Sequence, residues 1–353
     1  MSDRCPAALG YRMPSEWYPH HSTWLSWPKD PATWPDRVPQ VQEIYLRLIS
    51  LLAARETVDL LVDDEPTQET IRHQLLDRNV PLEQVRFHLI PTVDSWIRDY
   101  GPNFLLRPSQ GKELLAFNHW IFNAWGDKYE ELKQDARIPA KLESVLEVPR
   151  FTPPLVLEGG AIDVNGEGVC LTTESCLLNP NRNPDCSRSE VEQCLRDFLG
   201  VDQVIWLGEG ITGDDTDGHV DELARFVNPN TIICTLEEDP ADENYASLRD
   251  NYQRLQKARN PKGRPFEVAS LPMPKAVQTP QRRLPASYAN FYIANGVVLV
   301  PTFGQPQDRT AVETLQRFFC DREVIGVHCL DMLRGLGTLH CVTQQQPAST
   351  YTK

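Results

Sequence analysis

The chain has 353 residues, 41% of them hydrophobic, enough to bury one large core or two smaller ones. With 35 Lys and Arg against 49 Asp and Glu, the formal charge of -14 argues against a nucleic-acid partner, which would need a basic surface, and suits a cationic small molecule. Nine cysteines without a CxxC pair fit neither a disulfide framework nor a zinc knuckle, no apolar leader follows Met1, and no stretch approaches the roughly 20 apolar residues that span a bilayer; a reduced, cytoplasmic, single domain over 1–353 is expected.

In chain order, Val38 to Ala54 has helical periodicity, and Val58–Val62 and Val85–Ile90 read as short apolar strands. Trp96-Ile-Arg-Asp-Tyr-Gly-Pro102 interleaves charge with aromatics. Read as extended chain, it places Trp96, Arg98 and Tyr100 on one face and Asp99 on the other. An Arg98–Asp99 salt bridge at a tight Gly-Pro turn would account for it equally. Leu155 to Asp163 is an apolar strand that carries Glu158 just before two glycines, which let another group approach the backbone. Burying such an acid is costly, so Glu158 needs a cation or a proton.

Gly168–Thr173 is the next strand, followed by a helix over Ser187–Gly200 with a capping box at Ser187 and Glu190 and a stop at Gly200. The strand Val204–Leu207 leads to Gly218–Phe226, preceded by Asp214, Asp215 and Asp217. On a strand, His219 and Asp221 would share a face, where they could exchange protons or hold a cation. The acidic run also reads as a solvated loop, and its spacing does not match an EF-hand calcium loop. Asn230–Thr235 is a strand, Asn244–Lys257 a helix, and the Pro-rich stretch from Pro261 to Pro285 a surface excursion. Then come strands at Ser287–Ile293 and Gly296–Thr302, a helix over Arg309–Phe319, a strand at Val324–Val327, and a last strand, Gly337–Thr343, that carries Cys341.

The turns inside these pairs contain Asn-Gly or Asn-Pro-Asn, strong hairpin formers. The recurring unit is hairpin, helix, strand, about five times over, the first two copies degraded. Units that cannot bury a core alone stack or close radially. Radial closure would bring Asp99, Glu158, His219, Asp221 and Cys341 to one axis. Converging carboxylates favour a planar guanidinium, whose donor fork pairs bidentately with them. A neighbouring cation favours the thiolate, which would attack the guanidinium carbon while His219 protonates the departing nitrogen and later activates water.

Trp96-x-Arg-Asp-x-Gly-Pro102, Glu158-Gly-Gly160, Gly218-His-x-Asp221, Ser287-Tyr-x-Asn-Phe-Tyr292 and His340-Cys-x-Thr-Gln344, in this order, resemble the agmatine deiminase and bacterial-type peptidylarginine deiminase family. Met13-Pro-Ser-Glu-Trp-Tyr-Pro-His20, Trp24-Leu-Ser-Trp-Pro28 and Leu177-Leu-Asn-Pro-Asn-Arg-Asn183 extend the resemblance over nearly the whole chain. It implies the pentein fold, a five-fold pseudosymmetric α/β propeller. It implies Cys341 as nucleophile and His219 as general acid/base. Glu158 and Asp221 would support His219 and bind the guanidinium, and Asp99 would hold its nitrogens from another side. Trp96 would wall the alkyl chain and Asn290 would contact substrate. Agmatine is the leading substrate, giving N-carbamoylputrescine and ammonia, with peptidylarginine or another guanidino compound as the alternative. Two departures from the family pattern lie beside the reactive residues: Thr216-Asp-Gly-His219, where Asn commonly precedes Gly, and Gly335-Leu-Gly-Thr-Leu339, where three glycines and Asn are usual.

A non-catalytic pentein need not keep all these groups, and a cysteine protease gives no reason for so many acids. The eight histidines lack HExxH or comparable spacing, so no metal is expected, and hydrolysis of a guanidinium needs no redox cofactor. Trp34, Trp120, Trp125 and Trp206 read as packing residues. Cys170, Cys176, Cys186, Cys194, Cys234 and Cys320 read as small core or surface residues. Monomer and homo-oligomer are both compatible with the sequence.

Overall fold

The computed structural model describes residues 5–350. Its strands form five small sheets built on one plan. In four of them an antiparallel pair is followed by a helix and a third strand parallel to the second. They are β4 (Asn103–Ser109), β5 (Lys112–Asn118) and β6 (Arg150–Phe151); β7 (Asp163–Val164), β8 (Val169–Thr173) and β9 (Gln203–Leu207); β10 (Ala224–Asn228), β11 (Thr231–Leu236) and β12 (Glu267–Pro272); and β13 (Tyr292–Ala294), β14 (Val297–Thr302) and β15 (Glu323–His328). The fifth is made from both ends of the chain. β16 (Gln344–Pro347) pairs antiparallel with β1 (His20–Ser26), which runs parallel to β2 (Thr57–Val62), and β3 (Val85–Leu89) adds a further parallel strand.

The crossover helices follow the predicted segments. Val38–Ala53 buries Val41, Tyr45, Leu48, Ile49 and Leu52, the stripe its spacing calls for. Arg188–Leu199 has the capping box at Ser187 and Glu190 and ends at Gly200 in the left-handed conformation. Tyr245–Lys257 and Gln307–Gln316 complete the pattern. No helix among the described residues is long and apolar enough to cross a membrane.

The sheets correct several readings. The unit around β4 and β5 is not degraded. Its two seven-residue strands turn at Gln110 and Gly111, both left-handed, a primed two-residue turn that no Asn-Gly announces. β12 lies inside the Pro-rich stretch; it is an edge strand, so its far side needs no ladder partner and prolines at its ends are tolerated. The segments that carry the reactive residues are not strands. Ile97–Tyr100 is a single helical turn, and Gly159–Ala161 and Val220–Glu222 are 3₁₀ turns. Gly337–Thr343 is a turn as well, with β16 starting only at Gln344.

The physical reason is local side-chain capping, which competes with ladder formation. Thr343 Oγ1 donates back to the carbonyls of Leu339 (2.9 Å) and His340 (3.1 Å). Asp214 accepts from the backbone N–H of Thr216 (2.8 Å), Gly218 (2.9 Å) and His219 (3.2 Å). The acidic run is therefore partly an internal brace, not simply a solvated loop.

With these corrections, one position recurs five times. Residues 96–102 precede β4, 158–162 precede β7, 219–223 precede β10, 287–291 precede β13, and 339–343 precede β16. Each segment leads into the first strand of an antiparallel pair. Cys341 is thus equivalent to His219 and Glu158, not to Cys170, Cys234 or Pro301, which lie in second strands.

Candidate active site

The five leading segments meet through their backbones and side chains. Arg98 does not pair with Asp99. Its backbone N–H donates to the carbonyl of Cys341 (3.3 Å), Nε to that of His340 (3.2 Å), and Nη1 to Gln345 Oε1 (2.8 Å), which ties the first segment to the last. Asn290 Oδ1 accepts from Thr338 Oγ1 (2.7 Å) and the His340 N–H (3.1 Å), and Asn290 Nδ2 donates to Cys341 Sγ (3.2 Å). Asn290 therefore grips the cysteine turn. Gly160 stands where three side chains converge: a Cβ there would lie 2.6 Å from His219 Nδ1, 2.9 Å from Asp99 Oδ1 and 3.0 Å from Asp221 Oδ2. At Gly337 a Cβ would lie 2.6 Å from the Trp96 ring and 3.2 Å from Cys341 Sγ.

His219 is buried between two acids. Its Nδ1 is 3.8 Å from Asp99 Oδ1 and its Nε2 3.7 Å from Glu158 Oε2. Burial works against the imidazolium, but Asp99, the nearby Cys176 thiol and Glu158 outweigh it and hold the proton well above the ordinary histidine range. Burial, with Asp221 and Glu158 nearby, pushes the Asp99 carboxyl up to about 6, opposed by His219 and the Trp125 N–H. For Glu158, burial is overcome by the contact with His219 and by Arg182, whose Nε donates to Glu158 Oε1 at 2.6 Å, so this acid stays below the usual carboxylate range.

Cys341 is 7% exposed. Burial, then Asp221, Glu222 and Asp99, push its thiol well above the ordinary cysteine range. Asp221 Oδ2 lies 3.8 Å from Sγ and bonds His340 Nδ1 at 2.7 Å; His340 Nε2 in turn bonds Glu16 Oε2 at 2.8 Å, beside Arg225. Burial opposes the Asp221 charge, but His340 prevails and the carboxyl stays low. Glu158 Oε2, His219 Nε2 and Asp221 Oδ1 are buried without a hydrogen-bond partner in the protein. The two carboxylate oxygens suit a ligand with several N–H donors, and the imidazolium N–H is free to donate.

A pocket of about 360 Å³ opens onto Cys341, Asp99, Trp96, Trp125, Leu336 and Gly337. Trp96 is held by its Nε1–H to Asp94 Oδ2 (2.8 Å) and by the Trp34 ring, 5.4 Å between centroids. Trp125, read from the sequence as packing, lines this pocket and donates to Asp99 Oδ2 at 3.0 Å. Its chain position carried no signal, because Ala124 and Trp125 both take the left-handed conformation in a loop. Arg182, in the Leu177–Asn183 segment, supplies the cation that Glu158 needs, a pairing that only the fold reveals. Cys176, read as a plain core residue, is buried within 4.8 Å of His219 and Glu158. Asn290 does not line the pocket; its contacts are with the turn beneath the thiol.

The model of the Porphyromonas-type peptidyl-arginine deiminase family matches residues 12–347. An agmatine deiminase of Stutzerimonas stutzeri is 37% identical over 97% of this chain and 97% of its own. One of Medicago truncatula is 36% identical over 98% and 99%. The solved agmatine deiminase of Enterococcus faecalis superposes with a TM-score of 0.90 at 34% identity, covering 98% of both chains. The fold is the pentein fold of those structures.

Proposed function

We propose that this chain, which belongs to the Porphyromonas-type peptidyl-arginine deiminase family, hydrolyses agmatine to N-carbamoylputrescine and ammonia. The observation that carries the reading is a pocket sized for a small molecule that is lined by Cys341 and Asp99, with the His219 imidazolium, Glu158 and Asp221 buried behind those two residues. The names of its full-length relatives support the substrate.

The chemistry starts from a guanidinium bound among Asp99, Glu158 and Asp221, whose positive charge offsets the carboxylates that keep Cys341 protonated, so that the thiol releases its proton to solvent as the cation binds. The thiolate adds to the guanidinium carbon and gives a neutral tetrahedral adduct. His219, charged in the resting site, donates its proton to the departing nitrogen, and ammonia leaves with the C–N electron pair. A thiouronium cation and a neutral imidazole remain. The imidazole then takes a proton from water as the hydroxide adds to carbon, and collapse expels the thiolate. The ureido product sheds one proton, taken up as ammonium, so guanidinium and water become urea and ammonium.

Trp96 and Trp125 wall the pocket against an alkyl chain, and Asp30 and Asp215, the latter 3.8 Å from Arg282, also line it and would attract a distal ammonium. Arg282 and Arg334 also line the pocket and would receive a carboxylate, which makes free arginine and a C-terminal-arginine peptide the comparison substrates. A cytoplasmic location fits a small-molecule enzyme of this kind.

The test is ammonia and ureido product measured with all three compounds. Agmatine is expected to exceed the others by about tenfold or more in kcat/KM. Silence on all three would sink the proposal, and an active Cys341→Ser variant would remove Cys341 from the mechanism.

A further inference from the structure

Four carboxyl groups surround the thiol and its histidine, and three of them are charge-balanced. Glu158 has Arg182 and His219, Asp221 has His340, and Asp99 has His219 with N–H donors from Trp125 and Gly160. Glu222 has no such partner among the described residues. It ends the Val220–Glu222 turn, is 4% exposed, and presents Oε1 3.9 Å from Cys341 Sγ, while its Oε2 is buried with no hydrogen-bond partner. Like Glu158, His219 and Asp221 it lies behind the residues that line the pocket, and the reactive atom it contacts is Cys341 Sγ.

A carboxylate in the interior with no cation against it and no donor but a thiol at 3.9 Å costs several kcal/mol, so the group keeps its proton. The surroundings act the same way. Burial, then Asp221 and Asp214, push its proton affinity up, and only His219 and Arg225, at longer range, oppose them. Ionised, Glu222 would repel the thiolate and push the thiol up; as a neutral carboxylic acid it instead offers an O–H donor, and Sγ is the adjacent atom that gains negative charge during the reaction.

We propose that Glu222 is a proton-bearing acid whose O–H hydrogen-bonds Cys341 Sγ, stabilising the thiolate when it forms and again when it is expelled from the thiouronium adduct. No bond to Glu222 is made or broken; its proton stays in place through the cycle. The role rests on the reading of Cys341 as nucleophile.

Glu222→Gln keeps a neutral donor, and Glu222→Met keeps the length without one. Three quantities separate them: kcat and KM with agmatine, and the pH midpoint for alkylation of Cys341 by iodoacetamide, a neutral reagent. Cys341→Ser supplies the background from other thiols such as exposed Cys320. Asp99 and Asp221 also face the thiol and are the same in both variants. Methionine is expected to move the midpoint up by about one pH unit and lower kcat about tenfold with KM little changed. Glutamine should recover most of that loss, to within about threefold of the parent. A KM raised about tenfold by Glu222→Gln would overturn the proposal, since it would mark a carboxylate that binds the substrate's charge. An unmoved midpoint in Glu222→Met would reduce the residue to packing. If the methionine variant does not fold, the glutamine KM still decides. An active Cys341→Ser protein would instead remove the nucleophile reading on which the role rests.

Discussion

Replacing Arg182 by methionine removes the cation beneath Glu158 at little change in length. Both side chains are fully buried, and the contact is 2.6 Å. Breaking such a pair from one side leaves an uncompensated interior charge, worth about 3–5 kcal/mol. For 353 residues the unfolding entropy is about 0.7 kcal/mol per degree, so the melting temperature should fall by about 4–7 °C. Arg182 also donates to Asp217 Oδ2 (2.8 Å) and the Thr216 carbonyl (3.0 Å), the loop that leads into His219. With that loop released and Glu158 free to take up a proton, kcat should fall on the order of 100-fold. The pH dependence has a defined sign. The folded Glu158 carboxyl lies below its ordinary range, so its stabilisation is fully present above that range and is lost as pH falls through the folded value. In Arg182→Met this acid-side loss should shrink, because His219 alone is then left to hold the carboxyl down. Adding Glu158→Gln to Arg182→Met should restore part of the stability without restoring turnover. The assays are calorimetry between neutral and acid pH and steady-state ammonia release. A melting temperature within about 1 °C of the parent, with kcat intact, would refute the view that Arg182 balances Glu158.

Trp125→Phe removes the N–H that helps keep Asp99 ionised near its value of about 6, so the acid limb of kcat/KM should move to higher pH; superimposable profiles would show that Asp99 does not govern that limb. Gly337→Ala would set a methyl against the Trp96 ring and Cys341 Sγ, and kcat/KM should drop by about 100-fold, whereas parental activity would mean that the turn yields freely. Ser187→Ala removes the cap of the 188–199 helix far from the chemistry and should cost about 1 kcal/mol in denaturant titration with kcat unchanged; a loss of activity there would contradict the separation of scaffold and site.

Much of the scaffold was legible locally. The helix stripe from Val38 to Ala53, the capping box at Ser187 and the second hairpin strands such as Val169–Thr173 depend on neighbours in the chain, and periodicity reports those directly. Residue types and order also singled out Cys341, His219, Glu158, Asp221 and Asp99, which the structure brings together. Their conformation was not legible, because period two was assigned to segments that carry side-chain caps. Asp214 bonds to the Gly218 and His219 N–H groups, and Thr343 bonds back to the Leu339 and His340 carbonyls, each turning apparent strand into a bend just ahead of the true one.

Sequence alone thus determined most helices, the second hairpin strands, the approximate five-fold recurrence and the chemical class of the reactive groups, since these follow from local spacing and side-chain type. Tertiary structure decided which groups are neighbours. It placed Arg182 under Glu158, Trp125 on Asp99, Asn290 under the thiol and Glu222 against it, across separations of 24, 26, 51 and 119 residues. The charge each acid carries depends on those distant partners and on burial, and neither leaves a mark in the local pattern of the chain.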